Sequence, residues 1–259
     1  MAGKSATAVK GQPAFAAGRA IGGMSLVERT VNALGREIAT GARRPGESLP
    51  PEAEIARLQG VSRNVVREAM RMLATKGLLS IAQGSGTVVQ PLSDWNFFDR
   101  RVIEWILQTP EMRDELVDEL NTLRLIVEPE VCALATKVAT MTEVLRLFEA
   151  LELMETHVTD PVRTVEHDIL FHRRLFEASH NRLLMSMLRA VEAVLRSNFA
   201  VAIRVDHAIA DFLREHRAVA EAIHRRDPEE AREAMRTLLI NNITNLTHMR
   251  QAARKDTAG

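Results

Sequence analysis

The chain has no tyrosine, and aromatic residues make up only 4% of its 259 residues. Strands draw on aromatic and β-branched side chains, so a chain poor in aromatics and rich in Ala, Leu, Arg and Glu points to helices. A single cysteine, Cys132, excludes an internal disulfide framework and suits a reducing cytoplasm, the expected location. No apolar run approaches the roughly 18 residues of a membrane span, so no membrane partner is expected. The opening "MAGKSATAVKGQPAFAAGRAIGG" lacks the apolar stretch of a secretory signal, and residues 1–24 read as a disordered tail. An excess of charge is missing too, since the formal net charge is zero. That balance hides an asymmetry: residues 1–90 hold 12 Lys+Arg against 6 Asp+Glu, and the remainder 22 against 28. A basic front and an acidic back suggest two domains, with the front one facing a polyanion.

What is present is helical punctuation. Ser25 caps a helix over 26–40 whose apolar positions Val27, Val31, Leu34 and Ile38 repeat at three or four, and Gly41 stops it. A Pro/Gly-rich loop follows. A short helix spans Glu52 to Gln59 and ends at Gly60, and Ser62 caps another over 63–76, with Val66, Met70 and Leu73 facing inward. The period then changes to that of a hairpin, with strands near 78–82 and 87–89 around Gly84-Ser85-Gly86. Residues 94–108, carrying Trp95, Phe97, Phe98 and Trp105, read as a short helix. Six further helices are expected at 112–138, 141–157, 162–179, 182–203, 207–225 and 229–250. The fold class is therefore mostly α. An N-terminal winged helix–turn–helix (25–91) precedes an all-α antiparallel helical bundle (92–253).

In "VSRNVVREAM" Arg63 and Arg67 lie one turn apart, away from the apolar face, with Ser62 and Asn64 in the first turn. The N-terminal end of the second helix of such a motif enters the major groove. There arginine can donate two hydrogen bonds to guanine, while serine and backbone amides take phosphate. In the second half, Asp168 and His172 of "HDILFHRRLF" are four apart and share a helix face, a spacing suited to two metal ligands or to an acid and its histidine.

The stretch 49–89 closely resembles the GntR family of bacterial repressors, through its L-P-x-E-x-E start, V-S-R-x-x-V-R-E-A helix, L-x-x-x-G-L-L turn and Q-G-x-G-T wing. The resemblance implies that Arg63 and Arg67 read bases, that Ser62 and Asn64 assist, and that Gln83 and Gly84 place the wing tip at the minor groove. Many members carry an arginine where this chain has Ala53. The second half resembles the all-helical ligand-sensing domain of the FadR subfamily, called FCD, through "LRLIVEPEVCALA", "DILFHRRLFEASHN" and "EHRAVAEAIHRRDPEEAREAM". That resemblance implies a divalent metal (Zn, Ni or Mn) held by Asp168, His172 and His216. The family's last histidine is replaced by Leu238, which leaves the ligand set incomplete. Asn242, one turn on, is a candidate oxygen donor for metal or effector. Arg124, in an R-x-x-x-E pattern with Glu128, is either a carboxylate receptor or half of a buried ion pair.

Among the subfamily, the galactonate-type sugar-acid repressors are the most similar. The resulting expectation is a homodimeric repressor that binds double-stranded operator DNA and answers a small carboxylate or sugar-acid effector. One alternative is an acyl-CoA-type or metal-independent effector. A remoter one is a metal-dependent hydrolase, although no GxSxG, HExxH, P-loop or dinucleotide fingerprint is present.

Overall fold

The computed structural model describes residues 24–82, 86–202 and 208–256. Gln83 and Gly84 lie outside the described residues, as does nearly all of the expected tail. The described elements are α1 (Leu26–Ala39), α2 (Glu52–Gln59), α3 (Arg63–Thr75), β1 (Leu79–Ala82) and β2 (Gly86–Val89). These are followed by α4 (Arg100–Leu107), α5 (Pro110–Val138), α6 (Met141–Thr156), α7 (Pro161–Ala178), α8 (Arg182–Ala202), α9 (Ala208–His224) and α10 (Pro228–Asp256).

The capping signals explain the boundaries. Ser25 and Glu28 close a reciprocal capping box at the start of α1, and Thr140 with Glu143 does the same for α6. Each pair satisfies backbone donors that the first helical turn leaves open. The Ser62 hydroxyl accepts from the Val65 N–H to start α3, and Gly60 ends α2 in the left-handed region at φ 66°. The hairpin pairs antiparallel with Leu79 opposite Val89 and Ile81 opposite Thr87.

One expected element is corrected. The helix read over 94–108 is confined to α4, preceded by a 3-10 turn at Leu92–Asp94. Asp99 begins α4 by accepting from the Arg101 and Val102 N–H groups, so a helix starting at 94 would bury its own cap. The Trp95 indole donates to the Gln90 carbonyl at 3.1 Å, which holds the chain out of helical shape there. Gly77 accounts for the close approach of this linker. It sits at φ 80°, and an added Cβ would lie 1.9 Å from the Asp94 carbonyl oxygen.

Two apolar cores result. The first joins α1, α2, α3 and the hairpin with α4, the start of α5 (Leu116, Leu120) and part of α8 (Ala190, Ala193, Val194). Trp105 of α4 lies against Gly35 of α1, where any side chain would meet the indole. The second core is built from α5 to α10, with Phe171, Phe176, Leu147, Met154 and Ile223 at its centre. Thus α5 and α8 run through both cores.

Candidate functional site

At the DNA-facing end, Ser62, Arg63, Asn64 and Arg67 are all exposed on the first two turns of α3. Ser62 uses its hydroxyl as the helix cap. Arg67 is engaged: its Nε and Nη2 donate to both oxygens of Glu52 on α2, at 3.0 and 2.8 Å. That bidentate hydrogen bond holds the Glu52 carboxyl below its ordinary range despite a small opposing effect of burial. The fork therefore holds the guanidinium in a fixed orientation. Sequence spacing concealed this pair because its members are 15 residues apart on different helices.

The bundle holds a different arrangement. Arg124 and Glu128 face inward from α5, Asp168 and His172 from α7, and His216 from α9, all of them buried. Arg124 Nε donates to Glu128 Oε1 at 2.6 Å. The other oxygen of Glu128 lies 2.7 Å from His172 Nδ1, at ion-pair distance though not in an aligned hydrogen bond. His172 Nε2 is 3.4 Å from Asp168 Oδ1, and His216 Nε2 is 2.9 Å from the same oxygen. One unbroken polar chain thus crosses three helices inside an apolar core.

Opposed effects set its charges. Burial alone would raise both carboxyls. Arg124 and His172 nonetheless hold Glu128 down at about 2, and hydrogen bonds from His172 and His216 hold Asp168 well below the usual range. Burial would likewise discharge His172, but Glu128 and Asp168 raise it to about 9. Arg124 Nη1 and Nη2, and Oδ1 of the buried Asn121 three residues before Arg124, stay without a hydrogen bond, whereas Glu128 Oε2 and both ring nitrogens of His172 meet their partners only at ion-pair distance. Buried polar atoms are seldom left so, because each costs about 1–3 kcal/mol.

A divalent cation fits the donor set. Ligand atoms of Asp168, His172 and His216 lie within 4.8 Å of one another. His216 Nδ1 is 2.7 Å from the Phe212 carbonyl; in the tautomer that donates there, Nε2 presents its lone pair toward Asp168. A lone pair facing a carboxylate oxygen needs a cation or a proton between them. Leu238 is buried at the position of the family's last histidine, so three protein ligands would leave positions for other oxygens. Asn242 is half-buried on α10 and makes no side-chain hydrogen bond to this set among the described residues. Its neighbour Asn241 donates to Glu215 on α9. Sequence reasoning missed Asn121 and the bridging role of Glu128. The signal was available for both, as polar residues at the i, i+3, i+7 positions of the inward α5 stripe.

A winged helix–turn–helix joined to an all-helical bundle is the architecture of a DNA-binding regulator. Residues 26–89 match the gntR family of bacterial regulatory proteins, and residues 119–241 match the FCD domain. The chain belongs to the GntR family and carries an FCD domain. It is 30% identical over 224 residues to the galactonate operon transcriptional repressor of Escherichia coli K12, covering 86% of this chain and 97% of that protein. It is 33% identical over 210 residues to the HTH-type regulator YieP of the same organism, covering 80% of this chain and 89% of that protein. Among solved structures, the Lar regulator of Listeria monocytogenes shares the fold with a TM-score of 0.58 at 17% identity, over 87% of this chain and 98% of that one. The family and the galactonate operon repressor are transcription regulators, not enzymes, so the hydrolase alternative falls. Among the described residues no helix is long and apolar enough to cross a membrane.

Proposed function

We propose that the protein is a homodimeric repressor whose bundle binds a small carboxylate, a sugar acid of the aldonate type, to release operator DNA. The domains read from the sequence, 25–91 and 92–253, are the DNA-reading and sensing parts of that device. Arg63 and Arg67 take the base-reading role, with Ser62 and Asn64 on the backbone; Gln83 and Gly84 take the wing tip.

The observation that carries the sensing half is the pair of buried, unpartnered Nη atoms on Arg124, beside the convergent Asp168, His172 and His216. A guanidinium fork matches the two oxygens of a carboxylate. Asp168, His172 and His216 would hold a divalent ion such as Zn, Ni or Mn, which supplies a positive centre for carboxylate and hydroxyl oxygens. Glu128 orients both arms, fixing Arg124 through Nε and His172 through Nδ1. Asn242 stays a peripheral candidate contact. A ligand gripped from α5, α7 and α9 together distinguishes one packing of the bundle from another, and such differential contact is what shifts an equilibrium. A tenfold loss of operator affinity needs only about 1.4 kcal/mol of coupling. The resemblance to a galactonate operon repressor supports the choice of aldonates.

The experiment is an operator shift titrated with a panel of hexonates, on wild type and Arg124→Lys. Lysine preserves a cation for Glu128 and removes the fork. An aldonate should release wild-type protein from DNA and fail on the variant, with DNA affinity before ligand unchanged. Release of both proteins at the same concentration would remove Arg124 from the effector site.

A further inference from the structure

A second cleft, of about 310 Å³, lies away from the buried polar chain, at the junction of α4, the start of α5 and α8. Its volume falls in the range of small-molecule sites. Four arginines line it, Arg100, Arg113, Arg189 and Arg196, against two acids, Glu104 and Glu192. Both acids are already committed. Glu104 accepts from Arg100 at 2.6 Å, and Glu192 accepts from Arg173 of α7 at 2.5 Å. Arg189 and Arg196 make no ion pair among the described residues. Arg113 meets Asp114 at 3.6 Å, so the positive charges left without an ion pair in the lining are those of Arg189 and Arg196.

Spacing indicates the shape of that ligand. Arg189 and Arg196 are seven residues apart, two turns along one face of α8, which separates their origins by about 10 Å at 1.5 Å per residue. Ala193 between them is small and almost fully buried, leaving room above the helix for a ligand backbone. Gln108 and Ser197 add neutral hydrogen-bonding groups to the wall, of use to hydroxyls more than to a bare ion. We infer that this cleft binds a small organic polyanion with a charged group at each end, of the sugar bisphosphate kind. Arginine suits phosphate because its planar fork meets two oxygens at once. A DNA backbone is the less favoured occupant, because the cleft is concave, contains acids and is built from α4, α5 and α8 without any part of α3.

The location gives such a ligand a consequence. The inward face of α4, including Ile103 and Trp105, is part of the core shared with the DNA-reading helices, whereas Leu188, Val191 and Leu195 of α8 belong to the sensing core. A bisphosphate spanning Arg100 or Arg113 and the α8 arginines would tie α4 to α8, the helix that runs through both cores. That makes it a second regulatory input, separate from the site of Arg124.

The test is calorimetric titration of the full-length protein with fructose 1,6-bisphosphate, inorganic phosphate and fructose, on wild type and on Arg189→Ala/Arg196→Ala. Both substitutions are at exposed positions, and circular dichroism verifies the fold. Wild type should bind one bisphosphate per chain at least tenfold more tightly than phosphate, and the double variant should lose at least tenfold. Equal affinity for bisphosphate and phosphate would overturn the inference, as would undiminished binding by the variant. Loss of non-operator duplex binding in the variant, with no bisphosphate bound by wild type, would overturn it in favour of a DNA contact.

Discussion

Around α3 the charged groups stand in water and pair with one another, as Arg67 does with Glu52. Around α7 they are sealed in an apolar core, and one of them, Arg124, keeps two nitrogens with no hydrogen bond. Each arrangement matches the dielectric that its ligand leaves behind. A DNA-facing arginine keeps its hydration until phosphate or base replaces it, and a paired exposed charge costs little to hold. A buried arginine has given up water in advance, so only a ligand or another side chain can satisfy it. The basic front of the chain is thus built for a partner that arrives at a surface. The acidic back encloses a small region of mixed charge, which on the proposed reading admits a partner into the bundle.

The contrast can be broken by substitution, and the largest effect is expected at Glu128. Glu128→Ala leaves two buried cations without their shared acceptor and should cost about 3–5 kcal/mol in urea unfolding. Glu52→Ala, which removes the corresponding acid from the DNA-facing pair, should leave the unfolding midpoint within the scatter of ordinary surface substitutions. Comparable losses from both would mean that the bundle pair is as solvated as the surface one.

The next effect is pH dependence in metal-free protein. His172 is raised from 6.5 to about 9, so its contribution is complete below about 6.5 and is lost as pH rises through about 9. Glu128 is lowered from 4.5 to about 2, and Asp168 is lowered as well. Their contribution is complete above about 4.5 and is lost as pH falls toward 2. Stability should therefore be greatest between about pH 4.5 and 6.5 and decline on both sides. Urea midpoints that stay flat from pH 6.5 to 9.5 would show that His172 is uncharged in the folded protein. His172→Gln should remove most of the alkaline decline.

The smallest expected effect on folding, and the most specific on binding, lies at α3. Arg63→Ala and Arg67→Ala should each lose on the order of tenfold to a hundredfold in operator affinity, with much smaller losses on random duplex. Equal losses on both would reduce these arginines to phosphate contacts. Arg67 carries a further expectation, because Glu52 already orients its fork: Glu52→Ala should lower discrimination between operator and random DNA more than it lowers affinity.

Much of this was legible in the chain itself. Capping residues and left-handed glycines set most helix ends to within one or two residues, because those signals are local, whereas α10, read as ending at 250, runs on to Asp256. Asp168 and His172 were legible as a pair for the same reason. His216 was tied to them only by family resemblance, since it comes from α9, 44 residues beyond His172. The Glu128 bridge to His172 went unread although Glu128 lies on the inward stripe of α5, because its i, i+4 partner Arg124 already accounted for it. Residues 95–99 misled for a tertiary reason: the indole bond of Trp95 and the Gly77 contact with Asp94 override a helix-like pattern.

The central claim is that the buried polar chain of the bundle is a binding site and not a structural ion-pair network. Metal stoichiometry tests it most directly, by elemental analysis of chelator-stripped protein reloaded with Zn and desalted. Wild type should retain one ion per chain, and Asp168→Asn and His216→Ala should retain none while staying folded. Equal retention by wild type and both variants, or no retention by any of them, would contradict the claim.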